Sequence, residues 1–160
     1  MSQIHIRKGV AADMPQVHQL VYELSVYEQA PHEVHTSPEQ YVQDGFGEHP
    51  LFECFVAENE EGRIVGIAFF YFGYSTWKGK KLYLDDLIVT EAYRRKGVGM
   101  KLFDRLVRYA AEQGAQQMRW HVLDWNEPAI EFYKKIDAEL DPEWITCKLS
   151  AARLKAWAES

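Results

Sequence analysis

The chain has 160 residues, 47% hydrophobic and 26% charged, which suits one ordinary domain with a packed core and a wettable surface and excludes a disordered or collagen-like chain. Eighteen Lys and Arg stand against 24 Asp and Glu, a net charge of −6 that argues against a broad basic face for nucleic acid and would draw a cationic ligand. No run approaches the ~18 consecutive apolar residues of a membrane helix, and Ser2, Gln3, His5 and Arg7 are unlike a secretory signal. Cys54 and Cys147 fall in segments that read as strands, so free buried thiols in a reducing cytoplasm are expected.

Ile4 and Ile6, alternating with polar neighbours, predict a short first strand. Asp13 and Pro15 then open a helix in which Val17, Leu20, Val21 and Leu24 recur at helical spacing and which ends near residues 27–30. Ser37, Pro38 and Gln40 supply the cap, first-turn proline and capping-box glutamine of a short second helix that Gly45 can stop. Residues 52–58 and 63–74 are apolar, β-branched and aromatic, and Asn59-Glu60-Glu61-Gly62 between them marks an antiparallel hairpin. Another strand follows over 81–89. A helix over 97–113 places Val98, Leu102, Leu106 and Tyr109 on one face and ends at Gly114. Residues 118–123 read as a strand, Pro128 starts a helix carrying Ile130, Phe132, Tyr133 and Ile136, residues 143–149 read as a last strand and 151–158 as a terminal helix. Strands that pair locally first and alternate with helices later predict an α/β fold. Its one mixed, largely antiparallel sheet would be flanked by helices in a single domain over residues 1–160.

The most informative segment runs from Arg94 through Arg95, Lys96, Gly97, Val98, Gly99 and Met100 to Lys101, between a strand ending near Val89 and a helix beginning near Gly97. Such a junction aims free backbone N–H groups and the positive end of the helix at an anion, and glycine lets the backbone approach phosphate closely. Four cationic side chains in these eight residues invert the local sign of an acidic chain, as a diphosphate would require. Neither a Walker loop nor G-x-G-x-x-G is present, which weighs against nucleotide hydrolysis and hydride transfer. On its own the loop reads equally well as a solvated basic helix start. The six histidines show no metal-ligand spacing, so no metal is expected; His121 reads either as a lining of a cleft or as a packed strand residue.

R-x-x-G-x-G after Leu87-Ile88-Val89 resembles the acetyl-coenzyme A loop of the GNAT acyltransferases. Tyr27-Glu28, the 44–50 segment Asp-Gly-Phe-Gly-Glu-His-Pro, the stretch from Trp77 to Asp86, and the stretch from Asp124 to Tyr133 with its Trp-Asn-Glu-Pro resemble the diamine branch of that family along nearly the whole chain. The resemblance implies the GNAT fold, acetyl-coenzyme A as co-substrate, and direct transfer of acetyl to a primary amine of a small di- or polyamine, thialysine or a lysine-like amino acid. It also implies a homodimer. By the same resemblance the backbone of Leu87, Ile88 and Val89 holds the acetyl and pantetheine parts, residues 94–100 hold the diphosphate, and Asn126 bonds the pantetheine.

Tyr133 is implied as general acid at the cofactor, because a phenol with pKa ~10 keeps its proton at neutral pH. Asp85 stands where the family carries a glutamate that removes the amine proton through ordered water, and being one methylene shorter it favours a water relay. Tyr27, Glu28, Trp77, Asp85, Asp86 and Glu143 are implied as acceptor-binding, through carboxylate–ammonium pairs and cation–π contacts. Consecutive strand side chains face opposite ways, so only one of Asp85 and Asp86 is expected in a given cleft. Ser75 replaces an aspartate of the polyamine enzymes, and the segment 137–143 is shortened, which favours a short diamine or lysine-like acceptor over a long polyamine. The alternatives are acetylation of a protein lysine or an aminoglycoside, and a non-catalytic acyl-coenzyme A sensor.

Overall fold

In this computed structural model residues 3–160 are described; Met1 and Ser2 lie outside them. The chain forms two compact units, one through His121 and one from Val122 onward.

In the first unit β1 (His5–Lys8), β2 (Glu53–Glu58), β3 (Ile64–Ser75) and β4 (Gly79–Val89) are antiparallel neighbours in chain order, and β5 (Gln117–Arg119) joins β4 in parallel. The mixed, largely antiparallel sheet is as expected. α1 (Met14–Tyr27) and α2 (Pro38–Phe46) share one core with one face of the sheet, where Met14, Val17, Leu20 and Tyr41 meet Cys54, Val56, Ile67 and Ile88. α3 (Val98–Glu112) takes the other face. Tyr109 of α3 lies edge-on to Phe55 at 5.3 Å, and Gly66 leaves room for Leu102, which a Cβ there would meet at 3.0 Å. Burial of these side chains, at about 25 cal/mol per Å² of apolar surface, is what holds both layers to the sheet.

A β-bulge divides β4. Phe69 pairs with Asp86 and Phe70 with Leu84, so Asp85 is the extra residue. Leu82 and Leu84 are buried before it and Ile88 after it, and Ile88 lies in the core beneath α1 and α2. The bulge therefore shifts the face assignment by one residue: Asp86, which simple alternation would send toward α3 with Leu82 and Leu84, joins Phe69 and Ile88 on the α1/α2 side.

Several sequence expectations are corrected. Gly45 does not stop α2 but lies buried within it, where a Cβ would come 2.4 Å from the Phe52 ring; the C-cap is Gly47. At the other end, Ser37 Oγ accepts the Gln40 amide hydrogen bond at 3.1 Å. β5 is shorter than residues 118–123, because pairing with β4 ends at Tyr83↔Arg119, before the bulge. His121 is thus beyond the strand.

The second unit contains α4 (Glu127–Lys135), capped by Asn126, and α5 (Ala151–Ala158), capped by Ser150. Residues 143–149 form no strand: among the described residues this segment has no ladder to satisfy its backbone, and an unpaired strand is not stable alone. Cys147 is accordingly exposed and outside any strand, against expectation, whereas Cys54 is buried in β2 and its thiol is pushed up to about 12 by burial.

One ion network ties the sheet edge to the first helix. Arg7 on β1 grips Asp13 with two hydrogen bonds, 2.7 and 2.9 Å, and also donates to Glu58 on β2, while Asp13 accepts the Val10 amide at 2.8 Å. The guanidinium holds the Asp13 carboxyl below the usual carboxylate range. Asp13→Ala should lower the unfolding free energy by about 2 kcal/mol, measured in urea. Because the folded pKa is depressed, the contribution of Asp13 is complete above the ordinary value of ~3.9 and is lost as pH falls through the lower folded value. The stability curves of wild type and variant should therefore converge at acid pH.

Candidate active site

The turn before α3 has the form the sequence led us to expect. Gly97 is the N-cap at φ +81°, and an added Cβ would meet nothing within 4 Å, so the space in front of the turn is open. The first bond of the helix runs from the Lys101 amide to the Gly97 carbonyl at 3.1 Å, which leaves the N–H groups of Val98, Gly99 and Met100 without intrahelical acceptors. Arg95, at φ +62°, and Lys96 are exposed beside them. Open space, free donors and cationic side chains fit a diphosphate.

Arg94 is used differently. Its Nε donates to the Val89 carbonyl at 2.9 Å, its guanidinium lies 3.5 Å from Glu23 and over the Tyr27 ring at 5.6 Å. Glu23 also accepts from Thr90 Oγ1 at 3.0 Å and from the Glu91 amide at 3.2 Å. This clamp, which fixes the end of β4 and the loop to α1, had no signal in the sequence, since a glutamate on a helix face is ordinary.

Next to the loop, β4 has an open edge. Residues 86–89 pair with β3 on one side, whereas β5 reaches only Lys81, Leu82 and Tyr83 on the other. Among the described residues no strand covers the far edge of Leu87, Ile88 and Val89; the Val89 carbonyl already accepts from Arg94, and the other polar groups of that edge can pair with an extended ligand as a strand would.

Three carboxylates gather on the α1/α2 side. Asp86 is partly buried and Glu28, the C-cap of α1, half-buried; Asp85 keeps more contact with solvent. Within the described residues none of the three makes a side-chain hydrogen bond or an ion pair. Burial, then the charges of Asp85 and Glu28, push Asp86 up to about 8. Burial raises Glu28, and it raises Asp85 as well, partly offset by His121.

Both aspartates act on the phenols of Tyr41 and Tyr83, whose pKa values burial raises first. The expectation that only one of the pair would face a given cleft is thus corrected: the bulge brings consecutive carboxylates to one side. Tyr41 was missed in the sequence, where it reads as an aromatic on a short helix. His121, left between two readings, hydrogen-bonds Tyr83 through Nδ1 and lies 5.7 Å from its ring.

Other expected residues stand apart. Trp77 is 83% exposed at the β3–β4 turn, where Ser75 Oγ accepts the amides of Trp77 and Lys78 at 3.3 and 3.1 Å. Along β4 that tip is roughly 20 Å from Asp86, so the structure does not bring Trp77 to the carboxylates.

In the second unit Asn126 Oδ1 accepts the Ala129 amide at 3.4 Å as the cap of α4, and Tyr133 lies on α4 beside Phe132, ring centroids 5.6 Å apart. Glu143 is exposed, its amide donating to Asp141 at 3.2 Å. A cavity of about 520 Å³ lined by Phe52, Cys54, Tyr71 and Glu53 among others includes none of residues 85–100; its Glu53 is bound to Lys8 and Tyr109, each at 2.7 Å. Among the described residues no group of three or more His, Cys, Asp or Glu could hold a metal ion, and no helix is long and apolar enough to cross a membrane.

A family model described as acetyltransferase (GNAT) family matches residues 17–137. A thialysine N-epsilon-acetyltransferase of Bos taurus is 38% identical over 146 residues, 87% of this chain and 86% of its own length. A Homo sapiens spermidine/spermine N(1)-acetyltransferase-like protein 1 is 33% identical over 99% of this chain, the match covering 24% of that longer protein. Among solved structures, an integron cassette protein from the mobile metagenome of V. cholerae has a TM-score of 0.80 over 98% of both chains at 23% identity, a likeness of fold alone.

The loop geometry makes a direct prediction. Gly97→Val forces a β-branched residue to φ +81° and fills the open space, so the dissociation constant for acetyl-coenzyme A should rise by about tenfold or more in calorimetry. An unchanged constant would remove the loop from the site.

Proposed function

The chain belongs to the acetyltransferase (GNAT) family, and from that premise we propose that residues 1–160 act as one domain that moves acetyl from acetyl-coenzyme A directly to a primary amine of a small diamine or polyamine, thialysine or a lysine-like amino acid. The carrying observation is the trio Glu28, Asp85 and Asp86, three acids on one side of the sheet with no cation among the described residues paired to them. An ammonium group is the missing countercharge. The names of the similar enzymes from Bos taurus and Homo sapiens support the same acceptor class.

The N–H groups of residues 98–100, with Arg95 and Lys96, would hold the diphosphate, while Arg94 holds the loop. The free edge of Leu87, Ile88 and Val89 would take the pantetheine amides as strand-like bonds, with Asn126 as a further polar contact. The co-substrate supplies an acyl group activated as a thioester. The chain must then free the amine of a proton and give one to the departing sulfur, since an alkylamine of pKa ~10.4 arrives charged and a thiol of pKa ~8.5 leaves as thiolate. Tyr133 is the proton donor in this reading, and the aspartate pair on β4 receives the proton of the amine.

Ser75, committed to the hairpin turn, supplies no carboxylate for a distal ammonium, which supports a short acceptor. Tyr27, Trp77 and Glu143 are proposed to complete acceptor binding. We further propose a homodimer: Trp144, Ile145 and Leu149 are exposed in a segment whose backbone has no ladder partner among the described residues, Trp157 is exposed on α5, and a second copy can cover them. The two free thiols suit a reducing, cytoplasmic setting.

The test is release of coenzyme A with putrescine, spermidine, spermine, thialysine, lysine, an aminoglycoside and a lysine peptide. Turnover is expected with thialysine or a short diamine, whereas acetyl-coenzyme A binding without turnover of any acceptor would make the protein a sensor. Tyr133→Phe should lower kcat by ~10²-fold or more at unchanged acetyl-coenzyme A affinity. An unchanged kcat would pass the donor role to water.

A further inference from the structure

The segment between β4 and α3 is held from two sides by residues that the proposed reaction does not use. From α1, the Glu23 carboxylate accepts from Thr90 Oγ1 at 3.0 Å and from the Glu91 amide at 3.2 Å, and lies 3.5 Å from the Arg94 guanidinium. From the β2–β3 hairpin, Asn59 Nδ2 donates to Tyr93 Oη at 3.0 Å, and the Lys96 ammonium lies 5.3 Å from the centre of the Tyr93 ring. Asn59 is itself fixed, its Oδ1 accepting the amides of Glu61 and Arg63 at 3.1 and 2.8 Å. Arg95 stands between these anchors at φ +62°. A residue with a Cβ enters this left-handed region at a cost and stays there only where its surroundings over-determine it.

We propose that Glu23 is a positioning residue for the diphosphate turn: without touching acetyl-coenzyme A, it holds residues 90, 91 and 94 so that Arg95 stays left-handed and the free amides of Val98, Gly99 and Met100 stay fixed relative to β4. This rests on the cofactor part of the reading above and on none of its acceptor part. A turn held in its binding form before the anion arrives is spared the cost of being ordered at binding. Arg94 joins Glu23 to the Val89 carbonyl, 2.9 Å from its Nε, and Tyr27, one helical turn beyond Glu23, gives α1 a second contact with the guanidinium at 5.6 Å. The strand edge is held independently, by the pairing of Val89 with Gly66 and by the Thr90 amide donating to the Val65 carbonyl at 2.9 Å. Loss of Glu23 therefore frees the turn and leaves the strand in place.

Positioning and simple electrostatics predict effects of opposite sign. Glu23 is an anion set beside a site for an anion. As a bystander it would only repel the ligand, so Glu23→Gln would tighten the diphosphate, the more so at low ionic strength. The same substitution would release Arg94, now committed to Glu23, to turn toward the ligand. A positioning carboxylate gives the reverse: a repulsive charge is removed and affinity nevertheless falls, because the turn loses its anchor. Gln keeps an oxygen for Thr90 Oγ1 and the Glu91 amide but no charge for Arg94, and Ala keeps neither, so the loss grows from Gln to Ala.

The experiment is calorimetric titration of the full chain with acetyl-coenzyme A and, separately, with S-acetylpantetheine, which carries the thioester and the pantetheine but no diphosphate. Glu23→Gln should raise the dissociation constant for acetyl-coenzyme A by about fivefold and Glu23→Ala by about tenfold or more, while the constant for S-acetylpantetheine stays within about twofold of wild type. Thr90→Val keeps the carboxylate and every charge and removes one donor to it, and should weaken acetyl-coenzyme A by about threefold. A loss in that variant has no electrostatic source.

Either variant that leaves the acetyl-coenzyme A constant unchanged, or Glu23→Gln that lowers it, overturns the proposal while the cofactor loop itself stands. A loss of equal size for acetyl-coenzyme A and S-acetylpantetheine makes Glu23 a support of the fold alone and overturns it as well. A wild type that binds acetyl-coenzyme A no better than S-acetylpantetheine overturns the diphosphate reading and this inference with it. Silence toward every amine acceptor bears on neither titration, so failure of the acceptor reading is seen separately. Should the Glu23 variants not fold, Thr90→Val decides: a weakening confined to acetyl-coenzyme A supports the positioning role, and an unchanged constant overturns it.

Discussion

One extra residue in one strand organises the site. With Asp85 bulged out of the β3–β4 ladder, β4 changes the face to which its even-numbered residues belong. The strand packs Leu82 and Leu84 under α3 and then turns Asp86 and Ile88 to α1 and α2. Without the bulge the Asp86 carboxylate would be driven into an apolar layer built by Phe55, Phe70 and Leu102, where an unpaired charge costs several kcal/mol. The same bulge falls just beyond the point where β5 leaves β4, so the carboxylates and the open backbone edge arise at one place. The unpaired carboxylates and the open backbone edge therefore adjoin along one strand.

That departure was not legible in the sequence. Period-2 alternation is a rule about regular strands, and Asp85-Asp86 reads under it as one residue in and one out. What could be read were features that depend on local chemistry: the cap Ser37, the hairpin turn at residues 59–62, and the glycine-led start of α3, whose φ of +81° only glycine tolerates well. What could not be read depends on a neighbour distant in sequence. Gly45 looked like a helix stop because Phe52 could not be known to occupy the space of its missing side chain. Glu23 looked like solvent-facing acid because the Arg94 loop that it clamps is some seventy residues away. Residues 143–149 have the composition of a strand, but strand formation depends on a partner ladder and not on composition alone.

Acidic residues serve this chain in two opposed ways, and the distinction is one of partners. Asp13 is more buried than Asp86, yet it is held ionised by a bidentate guanidinium and a backbone amide, and its proton affinity falls. Asp86 has no cation in that place, and burial first, then the charges of Asp85 and Glu28, raise its proton affinity. Burial acts in the same sense on both; the neighbours decide the sign. Glu23, Glu53 and Glu58 belong with Asp13, each engaged by a cation or a donor that fixes one element to another. Glu28, Asp85 and Asp86 have no such partner among the described residues. Net charge alone suggested a cationic ligand, but only the pairing pattern says which acids are free to receive it.

An arrangement of this kind works against the fold that carries it. Like charges gathered on a partly buried face are destabilising without a counter-ion, and burial together with those charges raises the proton affinity of Asp86. Rigid packing around the group has to hold it in place: the Phe52–Phe69–Tyr41 rings on one side, and the Glu23–Arg94 clamp at the end of the strand on the other. The strain is relieved when a cation arrives, so binding and stability are linked through one set of residues. A ligand that brings positive charge to this face gains from the relief, and a neutral analogue of the same shape does not.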